Sequence, residues 1–172
     1  MFERIRSYGL LTFLLLGLAA CDQQTTHAPV QKPVQADIDA VLDDWHAAAS
    51  DADFDRYFGH FHDSTSIFMG TDASERWTVP EFKAFAQPYF ARGRAWSFSA
   101  TTRYVYFSEE GNVAWFDEEL DTPNLGPSRG TGVLVYGEKG WKIAHYNLTV
   151  PIPNDIVYDV VEQIEEELKK EG

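Results

Sequence analysis

Polar side chains recur at every second position near the end of the chain: His145, Asn147 and Thr149. In an extended strand, residues two apart share a face. These three would then stand with Trp141 and Ile143, opposite Lys142, Ala144, Tyr146 and Leu148. Lys142 belongs in water, so the His145 and Asn147 set is expected to face an interior. A few polar groups on an otherwise apolar wall are what a ligand pocket offers. The same pattern fits an imidazole and an amide that satisfy each other or a buried backbone group. A second reactive pair, Asp117 and Glu118, falls in the apolar stretch Val113–Leu120. Trp115, Asp117 and Glu119 share one face, and Phe116, Glu118 and Leu120 share the other. Both faces mix apolar and acidic residues, so alternation does not choose between them.

A carboxylate enclosed by apolar groups has a pKa raised by about one to several units. That suits a general base taking a proton next to a carbonyl. His145, Asn147 or Tyr57 would donate to the developing oxyanion. Arg129 shares a face with Thr131 on a neighbouring stretch. Beside Asp117 or Glu118 it would form a bidentate pair, either in a site or as a structural ion pair at a strand end. The catalytic candidates are therefore Asp117, Glu118 and His145. Tyr57, Met69, Trp77, Trp115, Arg129 and Asn147 are candidates for ligand binding, and the apolar ones among them are equally at home in a core.

Other residues offer less. His60 and His62, with Asp63, have no diagnostic metal spacing and fit a solvated loop, so no metal is expected. His46 follows Trp45 and could reach the mouth of a cavity. There is no phosphate-binding loop, no Gly-x-Ser-x-Gly elbow and no cysteine placed as a nucleophile. No cofactor is implied. Asn147-Leu148-Thr149 fits a glycosylation sequon, but its strand position argues against use.

The elements that must position these groups follow from periodicity. Ile38, Val41, Leu42, Trp45 and Ala49 recur at helical spacing and predict a helix over about 36–50. Phe54, Tyr57, Phe58 and Phe61 predict a second, short helix with an aromatic stripe. A strand over 64–69 ends at Gly70-Thr71-Asp72. Thr78 and Glu81 form a capping box for a third helix that buries Phe82, Phe85, Tyr89 and Phe90. Pro88 is expected to bend or split that helix, and Gly93 to end it. The period then becomes two. Strands are expected over 95–108, 113–120, 129–136 and 141–150, with turns at 109–112 and 137–140 and a loop at 121–128. Asn154 caps a final helix with Ile156, Val160, Ile164 and Leu168 along one side. This order is α+β: three N-terminal helices on a highly curved antiparallel sheet, a cone-shaped roll, plus a C-terminal helix.

The chain has 172 residues, a formal charge of −13 and one cysteine, Cys21. Aromatic residues make up 15%. So acidic a surface repels phosphate backbones and anionic lipid, which excludes nucleic acid as a partner. With a single cysteine no internal disulfide can form. At the N-terminus, Arg4 and Arg6 precede an apolar run, Leu10–Leu18, and then Ala19-Ala20-Cys21. The run is too short for a lasting membrane span and reads as a secretory signal. Its ending resembles the lipobox of bacterial lipoproteins. The resemblance implies a signal peptide over 1–20, a lipid on Cys21, a polar tether over 21–35 and a site in the cell envelope. Asp22 after the lipid-bearing Cys would favour retention at an inner membrane. Anchoring would come from the lipid, since each buried methylene contributes about 0.8 kcal/mol.

The remaining motifs carry a second resemblance. Phe68-Met69-Gly70-Thr71-Asp72, Glu75-Arg76-Trp77, Ala114-Trp115-Phe116-Asp117-Glu118, Arg129-Gly130-Thr131-Gly132 and Trp141 through Thr149 resemble the SnoaL-like branch of the nuclear-transport-factor-2-like superfamily, over residues 36–154. That leaves 155–172 as an amphipathic C-terminal helix. The resemblance implies a cone with an open mouth. It includes isomerases, cyclases and dehydratases alongside pocket-bearing proteins without a known reaction. Their habit of pairing through the outer sheet face implies a homodimer, here through Tyr146 and Leu148. Three functions follow as expectations: binding of a small apolar molecule, general-base catalysis, or an interaction module.

Overall fold

The computed structural model describes residues 33–171. The expected signal peptide, Cys21 and the expected tether as far as residue 32 lie outside the described residues. Helix α1 spans Gln35–Ser50 and buries Ile38, Leu42, Trp45 and Ala49, as their spacing requires. Helix α2, Phe54–Gly59, is capped by Asp53, whose side chain accepts from the Arg56 amide at 3.1 Å. Phe61 lies past its end, where it bridges to Ile143. Helix α3, Val79–Phe90, opens with the expected capping box: Glu81 accepts from the Thr78 amide at 2.8 Å. Pro88 does not split α3, because it sits in the last turn and removes a single helical hydrogen bond near an end that would fray anyway. Gly93 then takes a left-handed conformation at φ 68°, with its amide on the Phe90 carbonyl. Phe82 and Phe90 are buried, whereas Phe85 and Tyr89 remain more than a third exposed.

Six strands form one sheet in the order β2-β1-β6-β5-β4-β3. They are β1 (Ile67–Met69), β2 (Arg76–Thr78), β3 (Ser99–Phe107), β4 (Val113–Asp121), β5 (Ser128–Gly137) and β6 (Gly140–Thr149). All neighbours are antiparallel except β1 and β6, which run parallel. Strand β2 was absent from the sequence expectation, because three residues between a turn and a capping box show no period. Residues 95–98 precede β3 rather than extend it. The result is an α+β roll, with α1, α2 and α3 packed on the concave face.

The main departure lies in β6. Leu134 pairs with Ile143 while Val133 pairs with His145, so Ala144 is an extra residue on β6. Such a bulge slips the alternation by one. Trp141 and Ile143 point inward, and after Ala144 the inward set becomes Tyr146 and Leu148, which are 2% and 7% exposed. His145 and Asn147 therefore belong to the outer face, paired with Ile67 and Met69 of β1. Tyr146 and Leu148 are core residues and offer no outer docking surface.

Helix α4, Val157–Glu171, follows a short 3-10 turn at Asn154–Ile156. Its apolar stripe stays in solvent, with Val161, Ile164 and Leu168 exposed, as is Ile156 in the turn before it. It leaves the outer sheet face uncovered: Tyr104, Tyr106 and Trp115 are each about half exposed.

Candidate functional site

Inside the cone, aromatic packing replaces most of the expected hollow. Trp45 from α1 stacks on Tyr57 from α2 at 5.1 Å and meets Tyr146 of β6 edge-on at 4.6 Å. Phe68 from β1 lies flat on Phe82 of α3, with ring centres 3.9 Å apart and planes 12° apart. Two donors are enclosed here without a hydrogen-bond partner among the described residues, the Trp45 indole N–H and the Tyr57 hydroxyl. Burial pushes the Tyr57 pKa well above the usual phenol range.

Between these rings an apolar recess of about 170 Å³ stays open. Phe68, Trp77, Phe82, Phe85 and Trp96 supply rings that lie nearly parallel. Trp77 is 9° from Phe82, Phe85 is 24° from Trp77, and Trp96 is 19° from Phe82. Phe98, Leu125 and Leu148 close the sides, and Gly70, Thr71 and Glu75 form a polar rim. The short β1–β2 connection places that rim, since the Gly70 amide donates to the Glu75 carbonyl at 2.9 Å.

Deeper and to one side lies a charged cluster. Glu118 on β4 points inward and is 1% exposed. Its Oε1 lies 2.9 Å from His46 Nε2 and accepts from the Tyr146 hydroxyl at 3.2 Å. Its Oε2 accepts from Arg103 Nε at 2.8 Å. Arg103 Nη2 is also 2.8 Å from Oε2, at an angle too poor for a second hydrogen bond. Arg103 Nη1 reaches Asp39 at 3.1 Å and Asp43 at 3.0 Å. Burial alone would raise the Glu118 pKa. The hydrogen bonds and charges of His46 and Arg103 outweigh it and hold the carboxyl below the ordinary range. An ionised Glu118 only accepts, so His46 carries its proton on Nε2. His46 Nδ1 has no partner among the described residues. The imidazole floors a groove shared with Asp43, Ser50, Ser97 and Ser99, and Phe98 forms a wall common to this groove and the aromatic recess. Gly130 is part of the arrangement, since a Cβ there would strike the Tyr146 hydroxyl and Glu118.

Of the catalytic and ligand-binding candidates drawn from sequence, only Trp77 lines the aromatic recess. Glu118 faces inward, but as a fully paired anion it departs from the raised-pKa base that was expected. Asp117 and Trp115 lie on the outer face, where Trp115 stacks on Tyr106 at 5.9 Å. His145, Asn147 and Met69 share that face, for the register reason given above. Arg129 is exposed beside Glu119 and Thr149, and the partner expected of it belongs to Arg103 instead. Tyr57 is core. His60 bonds the Arg56 carbonyl and Asp44, and no metal-binding group occurs among the described residues. Sequence reasoning missed Arg103, although Asp39, Asp43 and His46 fall at helical spacing on α1. It also missed Glu75, Phe85, Trp96, Phe98 and Leu125 as recess walls, because loops bring most of them together.

The family model of the SnoaL-like domain matches residues 38–153, nearly the whole of the roll. The chain belongs to the SnoaL-like domain family. Solved structures agree on the fold. A nuclear-transport-factor-2-like protein of unknown function from Pseudomonas putida is 11% identical with a TM-score of 0.56, over 70% of this chain and 88% of that one. A candidate aromatic ring hydroxylase from Novosphingobium aromaticivorans is 17% identical at 0.57, over 74% and 94%. A candidate ketosteroid isomerase from Parabacteroides distasonis is 13% identical at 0.54, over 67% and 86%. At these identities the likeness speaks for the fold alone. No curated protein matches the chain in sequence.

Proposed function

We propose that the chain is a lipid-anchored cell-envelope protein whose SnoaL-like domain binds a small, largely apolar molecule through a flat ring. The supporting observation is the set of near-parallel rings around the 170 Å³ recess. A cavity of about 150 Å³ holds one benzene ring, and a flat guest would extend the stack. The test is a titration with one- and two-ring aromatics, followed through the indole N–H resonances of Trp77 and Trp96. Shifts at both are expected. No guest moving either resonance would refute the reading.

The anchoring part rests on the Leu18-Ala19-Ala20-Cys21 pattern. Expressed in a bacterium, the chain should incorporate labelled palmitate, and Cys21→Ser should abolish it. Label retained in that variant would remove the anchor. The outer sheet face, with Tyr104, Tyr106 and Trp115 exposed, is proposed to pair two copies. Sedimentation should then show a dimer that Trp115→Asp converts to monomer. A native chain that stays monomeric at high concentration would refute it.

One observation favours a second reading, an isomerase, dehydratase or cyclase. His46 is oriented by an ionised carboxylate through Nε2 while Nδ1 is open, which is how a general base is prepared. In that reading His46 takes the role expected of Asp117, Glu118 or His145. Hydrogen exchange at the carbon next to the carbonyl of cyclic ketones in heavy water should be accelerated, and His46→Gln should abolish the acceleration. Equal exchange rates in both proteins would exclude it.

A further inference from the structure

We propose that the aromatic recess selects an organic cation, a substituted ammonium carried on an aromatic ring, over a neutral molecule of the same shape. The inference rests on reading the recess as a binding site and names the class of ligand it takes.

Two independent features point there. The first is the wall. Phe68, Trp77, Phe82, Phe85 and Trp96 line one opening. Trp77, Phe85 and Trp96 keep exposure at the opening, while Phe68 and Phe82 are buried; aromatic faces carry negative electrostatic potential and attract cations, tryptophan most strongly. A neutral ring gains from stacking alone, whereas a cation also gains from the charge distribution of the rings.

The second is the rim. Glu75 is the one ionisable side chain among the recess-lining residues, and no Lys, Arg or His lines it. Its Oε2 accepts from the Asp72 amide at 3.2 Å, which fixes the carboxylate, and it forms no ion pair among the described residues. Arg76 follows in sequence but sits opposite Met69, with its side chain exposed. Gly70 is the companion feature. A Cβ at this position would collide with the Glu75 carboxylate, so the missing side chain leaves the space the carboxylate occupies at the mouth. An unpaired carboxylate beside stacked rings offers a cation two attractions and an anion two repulsions. The acidic surface adds to this by raising the local concentration of cations.

Phenyltrimethylammonium and tert-butylbenzene test the proposal, because they share a shape and differ in one charge. Each is titrated against the domain and followed by the indole resonances of Trp77 and Trp96. The cation is expected to bind about tenfold more tightly. In Glu75→Gln the affinity for the cation should fall about threefold to fivefold, while that for tert-butylbenzene should hold. If both probes bind with equal affinity, the charge preference is overturned and the apolar recess stands as a binding site. If neither moves the two resonances, both readings fall together. If benzenesulfonate competes as well as the cation does, the preference is overturned also.

Discussion

Replacing Glu118 by Gln tests whether the buried cluster is held together by charge. The carboxylate is almost fully enclosed and receives His46, Tyr146 and Arg103 within 3.2 Å. The amide keeps the volume and one accepting oxygen but leaves Arg103 without its buried counter-ion. Breaking a buried pair from one side costs about 3–5 kcal/mol. Arg103 keeps Asp39 and Asp43, both more exposed, which places the loss at the lower end, about 3 kcal/mol. With a urea slope of about 2 kcal/mol per molar for a domain of this size, the unfolding midpoint should fall by about 1.5 M. The deficit should also depend on pH. The folded carboxyl titrates below its unfolded value, so its contribution is complete above the unfolded pKa of about 4.3. It is lost as pH falls through the folded value. Wild type and variant should therefore converge in acid and separate toward neutrality. A midpoint shift under 0.3 M at neutral pH, or a gap that does not change with pH, would refute the assignment of Glu118 as a paired anion.

Two other substitutions probe the packing around it. Phe82→Ala removes a ring 1% exposed that lies against Phe68, Trp77 and Trp96; thermal or urea unfolding should show a loss of about 3–5 kcal/mol, with the recess enlarged enough to take two-ring guests. Gly130→Ala drives a methyl group toward the Tyr146 hydroxyl and Glu118, so a loss of about 1–3 kcal/mol is expected in urea unfolding, with the Tyr146 ring displaced in a crystal structure of the variant.

Much of the fold was readable along the chain, and the reasons differ between elements. Helix α1 has a clean 3.6 period, and α3 is announced by Thr78 and Glu81, so both fell where expected. Strands β4 and β5 alternate without interruption. The cavity-facing set failed at a single point, Ala144, because a bulge leaves no mark in a run of strand formers. Extrapolating from Lys142 was sound for Trp141 and Ile143 and inverted for everything after. Glu118 was visible as a candidate, but its protonation was not, since that depends on Arg103 and His46. These lie fifteen residues before it on β3 and seventy-two before it on α1. The recess was the least legible feature. Its walls come from β1, β2, α3, the stretch before β3, the β4–β5 loop and β6, and no local pattern records that convergence.

The extra residue in β6 also lets the strand lose one position without disturbing the interior. With Ala144 deleted, the imidazole would follow Ile143 directly on a regular strand and stay outdoors, and the phenol and isobutyl groups that alternate with it would stay in. A deletion one codon long would straighten the ribbon and leave Glu118 with the neighbours it has.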